Sequence, residues 1–512
     1  MRTMQRGLGM SQANAIEDKQ SSGFQKALDF IERVGNKVPH PAVIFVVLIG
    51  VVMVLSAIFG MLGTSVTFEQ ANPLTGDVDH VTATVRSLLD AEGLQFVFTS
   101  PVANFSSFQA VGIILLAMMG VGVAEEVGLI SALIRKLVAV TPRGLITATV
   151  VLLGLLSSIA TDAGYLVLIP LGAAIFASIG RHPLAGLAAA FAGVSTGFAV
   201  NILVVPLDGM LVEITNEAIH MIDPSISIGV MSNFWFELAA VVLLTVLFTI
   251  VTDKFVEPRL GAYEGGVTDA GNEMSAEEKR GLKYAGWATL VVALGIVALG
   301  AWPNAPLWGF MLDSLIFIIM LVFLIAGAAY GVGAGKVHGS MDVINPIVKT
   351  FASLASLIFT LFFVAQFIAF FNYSNLATVA AVNLGDWLET LGLSALPLLL
   401  GLILVLFLLD FVIPGSLPKW AIFAPIFVPL FIRLGVAPEA VLAAYRVGDS
   451  PINTVTPLMP YFALIVTFAE RYAKNVGIGT IIATMVPYTI IAIVGLMALF
   501  SVWQIAGIPW GF

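Results

Sequence analysis

The sequence predicts an all-α polytopic membrane protein, with nine transmembrane helices and two re-entrant helical hairpins arranged as an inverted repeat. Three observations predict it. Of 512 residues, 59% are hydrophobic and only 11% are charged, against about 25% charged in a soluble domain. Two segments 255 positions apart, 165–195 and 420–450, align without a gap. Nearly all Lys and Arg residues fall on one side of the resulting topology, as the positive-inside rule requires of the cytoplasmic side.

Residues 1–40 form a polar N-terminal segment, expected to be cytoplasmic. They contain Arg2 and Arg6 and no apolar core of a cleavable signal peptide, so the first span is expected to act as the targeting signal. Long apolar runs predict spans at 41–63, 108–140, 184–207, 231–252, 284–302, 308–330, 343–371, 436–470 and 479–507. Two further apolar stretches, 144–180 and 394–434, are each interrupted near the middle. The first break is Ser157-Ser158-Ile159-Ala160-Thr161-Asp162-Ala163-Gly164, and the second is Pro414-Gly415-Ser416-Leu417-Pro418. Each arm is about 15 residues, or about 22 Å as a helix. That falls short of a hydrocarbon core of about 30 Å. The stretches therefore read as re-entrant hairpins, whose polar backbone must be surrounded by protein or line a cavity. The chain divides into a first membrane half at 41–252, a cytoplasmic linker at 253–283 and a second half at 284–512.

The repeat places Pro170 on Pro425, Gly180 on Gly435, Pro183 on Pro438, Gly193 on Gly448 and Ser195 on Ser450. An internal duplication of Gly/Pro-interrupted apolar segments points to the binding site of a secondary transporter. With the N-terminus inside, nineteen of the 23 Lys and Arg residues lie at cytoplasmic segments or span ends. Only Arg86 and Arg433 lie outside, and Lys419 and Arg446 fall within membrane segments. Five spans separate the hairpins, so the hairpins enter from opposite faces and the C-terminus lies outside. The outside loops read as acidic, with Asp208, Glu213, Glu217 and Asp223 in one of them.

Other classes are excluded. There is no cysteine, hence no disulfide, thiol catalysis or thiolate metal site. The five histidines fall at segment ends or in loops, which argues against a haem held between helices. No basic patch of the kind nucleic acid requires is present, and the net charge is −9. No P-loop, metalloprotease motif or Ser/His/Asp constellation is visible. No enzymatic activity and no cofactor are expected.

The chemistry concentrates after the second hairpin, in Tyr445-Arg446-Val447-Gly448-Asp449-Ser450-Pro451-Ile452-Asn453. Arg446, Asp449 and Asn453 are three and four apart and share a helical face. Charges at the centre of a membrane helix cost about 2.5–3.5 kcal/mol each on insertion scales. Arg446 reads either as the seat of a substrate carboxylate or as the residue that orders Asp449, with Asp449 binding the coupling ion. A purely structural Arg–Asp pair is the alternative. The matching positions of the first copy, Phe191, Val194 and Phe198, are apolar. The polar content there is Ser195, Thr196 and Asn201, and Asn201 is a candidate oxygen ligand for Na⁺ or an interhelical hydrogen-bonding group. Asp208 reads either as functional or as the first residue of an outside loop. Asp162 at the first tip, Asp410 just before the second, and Asp449 are candidate coupling carboxylates or, alternatively, buried protonated hydrogen-bond donors, and Ser416 suits close substrate approach. Lys419 is either a cationic contact for substrate or a partner for Asp410. Trp420 either stacks on substrate or packs.

On these residues the chain resembles the AbgT-type family of p-aminobenzoyl-glutamate transporters. The resemblance rests on Arg181-His182-Pro183-Leu184-Ala185-Gly186, continuing to Ser195, and on Ala443-Ala444-Tyr445-Arg446-Val447-Gly448-Asp449-Ser450. Ala424-Pro425-Ile426-Phe427-Val428-Pro429 and Gly164-Tyr165 also fit. It implies an inner-membrane homodimer of a bacterial cell and a mobile domain that carries both hairpins against a fixed scaffold. It further implies ion-driven uptake of p-aminobenzoyl-glutamate or export of sulfonamide antimetabolites. The family's important positions correspond here to Trp420, Pro438, Arg446, Asp449 and Pro457, and Asn201 fits its pattern. The chain departs from the family at Asp410, where Asn is usual, and at a second tip interrupted by Pro414, Leu417 and Pro418 in place of a Ser/Ala-rich run. The expectation is a secondary transporter of an aromatic, carboxylate-bearing small organic anion in contact with membrane lipid. Its coupling ion is Na⁺ or H⁺, with Asn201 and Asp449 the candidate Na⁺ ligands. Rival readings are another small organic anion as substrate, an ion channel, or an intramembrane hydrolase built on an aspartate pair.

Overall fold

Proline and glycine set the frame on which the helices are hung. The computed structural model describes residues 39–71, 78–159, 164–197, 200–263, 274–390, 394–410, 415–456, 459, 461–473 and 476–512. Asp162 and Pro457, both singled out above, lie outside the described residues, as does nearly all of the N-terminal segment 1–40. The protein is a helical, multi-pass membrane protein. Among the described residues, eight helices are long and apolar enough to cross a membrane.

Helix α1 (Pro41–Met61) starts with Pro41 in the first turn, where a missing N–H costs nothing. It leads into a two-stranded antiparallel ribbon of β1 (Ser65–Ala71) and β2 (Val78–Thr84), with Ser65 paired to Thr84. Two short helices follow, α2 (Ala91–Thr99), capped by Asp90, and α3 (Pro101–Ser107). None of these three outer elements was legible as a hydrophobic run.

The predicted span 108–140 is two helices, α4 (Gln109–Glu126) and α5 (Leu129–Ala139). Gly128 stands between them at φ +87° and turns the chain. The first interrupted stretch yields α6 (Ile146–Leu156) and α7 (Ile169–Ser178), entered through a π-turn at Gly164–Leu168. The predicted span 184–207 is also broken. Helix α8 (Pro183–Thr196) stops, and α9 (Pro206–Ile219) begins after an irregular stretch that ends at a proline. Helix α10 (Phe234–Leu260) and α11 (Ala276–Gly300) extend beyond the predicted 231–252 and 284–302, so helix covers both ends of the linker 253–283. Helix α12 (Leu315–Gly333) matches 308–330 in part. The predicted span 343–371 divides at Leu354 into α13 (Met341–Ser353) and α14 (Ala355–Tyr373).

Helix α15 (Leu376–Thr390) escaped the hydropathy reading because Asn383 and Asp386 dilute its apolar content. The second interrupted stretch gives α16 (Ala395–Leu409) and α17 (Ser416–Arg433). The predicted span 436–470 breaks like its counterpart. Helix α18 (Pro438–Asp449) is followed by a 3₁₀ turn at Pro451–Thr454 and by α19 (Phe462–Glu470). Helix α20 (Ile478–Ala506) closes the fold.

The duplication read from sequence is realised in backbone geometry. Gly180 and Gly435 both adopt the left-handed conformation, at φ +76° and +75°. The same two hydrogen bonds close each turn. Arg181 N donates to Phe176 O at 2.8 Å and Val436 N to Phe431 O at 2.9 Å, while Gly180 N reaches Ala177 O at 3.1 Å and Gly435 N reaches Ile432 O at 2.9 Å. These are Schellman-type helix ends. Pro183 and Pro438 then open α8 and α18. Close approach is also duplicated. A Cβ on Gly193 would lie 2.5 Å from Val151 O in α6, and one on Gly448 would lie 2.9 Å from Ile403 O in α16. Each broken helix thus rests against the two arms of its own interrupted stretch.

Helices α8 and α18 form the centre. Every residue of α8, and Ala440 to Asp449 of α18, is buried. Helices α10 and α20 pack together beside them, and α9 packs on α17 across the two halves. A second group, α4 with α12 and α13, α11 with α12, and α1 with α14, lies alongside.

Open space surrounds Gly180 and Gly435, so alanine there meets no clash and only the left-handed backbone penalty of about 1–2 kcal/mol. Gly180→Ala and Gly435→Ala should therefore lower thermal stability in detergent by similar, modest amounts. Gly193→Ala, which meets backbone, should lower it more. Equal melting temperatures for all three would contradict the close packing of α8 on α6.

Candidate functional site

The last turns of α18 carry two buried charge groups, each built from parts that are distant in sequence. Arg446 is 2% exposed. Its Nη1 lies 2.8 Å from Asp208 Oδ1 and 3.1 Å from Glu237 Oε1. Asp208 sits in the first turn of α9 and Glu237 in the first turn of α10. A residue of the second half is therefore clamped by two carboxylates of the first. Asp208 Oδ2 also accepts the Val205 N–H at 2.7 Å, capping α9 where a carboxylate is favoured by the helix dipole.

One turn further on, Asp449 faces the start of α17. Lys419 Nζ lies 2.6 Å from Asp449 Oδ1 and ion-pairs with Asp410 Oδ1 as well. Lys419 is fully buried, and Asp410 and Asp449 are each 1% exposed. Ser416 Oγ donates to Asp449 Oδ2 at 2.6 Å. The Tyr445 hydroxyl donates to the Ser416 carbonyl and lies 3.3 Å from Asp449 Oδ1. Trp420 stacks on Tyr445 with ring centroids 4.4 Å apart, and its indole N–H donates to Thr215 Oγ1 of α9 at 2.9 Å. Each group thus holds two carboxylates and one cation. Charges this deep persist only when paired and hydrogen-bonded.

Several expectations are corrected. Arg446 does not order Asp449; its partners are Asp208 and Glu237. Asp208 is not the first residue of a loop but a buried residue of α9, and Glu213 and Glu217 lie on the same helix. Lys419 does not pair with Asp410 alone but bridges it to Asp449. Asn453 donates from its side chain to the Asp449 carbonyl at 3.2 Å. Asn201 makes a hydrogen bond across to the first interrupted stretch, in line with the alternative given for it: its Nδ2 donates to Ser158 Oγ at 2.5 Å, while its Oδ1 accepts Ile202 N at 2.8 Å and Leu203 N at 3.2 Å. Ser195 Oγ bonds back to Phe191 O at 2.8 Å within α8. Pro438 opens α18, about 16 Å along the axis from Asp449 at 1.5 Å per residue. Among the described residues, no group of three or more His, Asp or Glu side chains is placed to hold a metal ion.

Glu237 and Thr215 were missed, and Tyr445 was named only as part of the run that holds Arg446 and Asp449. Glu237 carried a signal, being an acid inside the apolar run Phe234-Trp235-Phe236-Glu237-Leu238, where an ionisable residue is a functional candidate by default. Thr215 carried none.

With this geometry in hand, the relationship to known proteins is informative. The model of the AbgT putative transporter family matches residues 26–512. The chain belongs to that family. It is 34% identical over 501 residues to the p-aminobenzoyl-glutamate transport protein of Escherichia coli K12, covering 96% of this chain and 97% of the relative. Its structure superposes on the Alcanivorax borkumensis YdaH transporter with a TM-score of 0.86 at 40% identity, over 93% of this chain and 100% of that one. The Neisseria gonorrhoeae protein MtrF, described as illuminating a class of antimetabolite efflux pumps, gives a TM-score of 0.86 at 37% identity, over 93% and 97%. As in the rest of the family, the chain is a transporter and not an enzyme.

Asp208→Ala removes one of the two carboxylates on Arg446 and the cap on the Val205 N–H, while Glu237 still compensates the arginine, so it should destabilise the protein by about 2–3 kcal/mol. Trp420→Phe, which removes the bond to Thr215 and leaves empty part of the space the buried indole fills, should cost more than the ~1 kcal/mol of that bond alone. Thermal unfolding in detergent reads both. An Asp208→Ala melting temperature equal to that of the parent would show that Arg446 is carried by Glu237 alone.

Proposed function

We propose that the protein is an ion-coupled secondary transporter of an aromatic, carboxylate-bearing small molecule such as p-aminobenzoyl-glutamate, or an exporter of sulfonamide-like antimetabolites. One observation carries the reading: a buried arginine of α18 and a buried lysine of α17, each facing two carboxylates, both close on the last turns of the broken helix α18, the arginine pairing across the two halves. Such a site can exchange partners. A substrate carboxylate can displace Asp208 or Glu237 from Arg446, and a coupling cation, Na⁺ or H⁺, can compensate the carboxylate left over. The names of the relatives supply the substrate class. Another small organic anion is the alternative substrate.

In this reading the chain keeps nine spans and two re-entrant hairpins in inverted orientation. Its halves at 41–252 and 284–512 are joined by the linker 253–283. The N-terminus is cytoplasmic, the C-terminus lies outside, and the protein works as a homodimer in the lipid of the bacterial inner membrane. Elevator-type alternating access follows if α6 to α10 and α16 to α20 move together against the group containing α1, α4 and α11 to α14. Ser416, Lys419 and Trp420 lie at the second tip, beside the substrate route. Asp162, Asp410, Asp449, Asn453, Ser195 and Asn201 are the residues to test for ion coupling, and Pro438 and Pro457 for helix geometry around the substrate.

Proteoliposome uptake of labelled p-aminobenzoyl-glutamate under imposed Na⁺ and H⁺ gradients tests the proposal. Gradient-dependent, saturable flux is expected. No such flux of this compound or of sulfonamides would remove the substrate class, and non-saturating conductance would favour a channel. Asp449→Ala should abolish coupled flux. Arg446→Lys keeps the charge but loses the planar fork that suits carboxylates, so it should raise KM more than it lowers kcat.

A further inference from the structure

Lys419 stands where a bound monovalent cation would stand. Its ammonium is fully buried, touches Asp410 Oδ1 and Asp449 Oδ1, and lies 6.0 Å from the centroid of the Tyr445 ring. Two carboxylate oxygens and an aromatic face are the surroundings of a cation seat. The neighbouring ligands are taken: Asp449 Oδ2 accepts from Ser416 Oγ, and the Ser416 carbonyl accepts from Tyr445. A second observation concerns the other oxygen of the same carboxylate. Asp410 Oδ2 is buried and has no hydrogen-bond partner, although an unpartnered buried carboxylate oxygen is costly. Asp410 and Lys419 lie nine residues apart, on either side of the second tip.

We propose that Lys419 is a tethered cation. It permanently fills the seat between Asp410 and Asp449, so this protein takes no sodium there, and removal of the lysine side chain converts the seat into a sodium site. The inference deepens the ion-coupled reading above and rests on it for its role in transport. The seat itself can be tested without transport. In a Lys419→Ala protein, Asp410 and Asp449 present up to three free carboxylate oxygens to one another across the space left by the ammonium. Like charges that close repel unless a cation joins them, and Na⁺ is a hard ion that oxygen ligands suit.

The test uses purified full-length protein in detergent, with melting temperature followed in NaCl, KCl and choline chloride at constant ionic strength. The parent protein should melt at the same temperature in all three salts. Lys419→Ala should melt lower than the parent in choline and be raised by several degrees, saturably, in NaCl, because a ligand bound only by the folded state stabilises it. If Lys419→Ala does not fold, the charge-balanced pair Asp410→Asn/Lys419→Ala carries the test and should show the same sodium response. Lys419→Arg, which keeps a cation, should show none.

In proteoliposomes, the parent's flux should be indifferent to the replacement of Na⁺ by choline. The flux of the double variant should rise about tenfold with Na⁺, equivalent to about 1.4 kcal/mol of cation binding. A saturable sodium stabilisation of the parent, or its absence from both lysine-free variants, would overturn the proposal. Failure of every form to transport the chosen substrate, with the thermal responses intact, would count against the transport reading and leave the tethered cation standing.

Discussion

The structure depends on the neutralisation of charge inside a medium that cannot solvate it. Arg446 and Lys419 are among the largest fully buried side chains, and neither can remain so without carboxylates at hydrogen-bond distance. That requirement explains why α9 and α10 present Asp208 and Glu237 where they do. It also explains why α17 begins with Ser416 and Lys419 against α18. The arginine pins the second half to the first, and the lysine pins the second tip to the broken helix behind it. Loss of either cation would leave two like charges facing one another.

The repeat supplies the frame on which this asymmetry is placed. Both copies end a helix with a left-handed glycine, restart it with a proline, and bring a glycine of the restarted helix onto the backbone of a short arm. Only one copy carries charge on its restarted helix. Phe191 and Val194 occupy the positions that correspond to Arg446 and Asp449, and Phe191 packs edge-on against Phe462 at 6.0 Å. The corresponding face of the first copy is thus apolar. The opening aromatics diverge in the same way: Tyr165 stacks on Tyr461, whereas Trp420 stacks on Tyr445 inside the charged group.

The two groups also differ in what they connect. Arg446 links α18 to elements of the other half, so any rearrangement of the halves must remake its contacts. Lys419 links elements within the second half, all of which lie at or next to one tip. A cation tied to the chain at that tip travels with it, whereas a diffusible ion must be loaded and released. The covalent tether is therefore consistent with a role in setting the charge of the tip, and the arginine with a role in reading an anion.

The sequence by itself determined the membrane class, both interrupted stretches, the duplication at offset 255 and most of the residues that carry charge, because hydropathy, Gly/Pro punctuation and the rarity of buried ionisable groups are local signals. It also marked Arg446 and Asp449 as charges that would need partners, since they stand inside an apolar helix. It missed the amphipathic or short outer elements, such as α15 and the β1–β2 ribbon, whose composition resembles that of a loop. It also ran α8 into α9 and α18 into α19, because apolar content continues through the irregular turns between them. Only the tertiary structure decided who pairs with whom. Arg446 and Asp449 are three residues apart, yet one turns to Asp208 and Glu237 and the other to Lys419. Spacing along a helix specifies a face, while the partner across that face is specified by helix packing, from the neighbouring α17 for Asp449 and from α9 and α10, more than two hundred residues away, for Arg446.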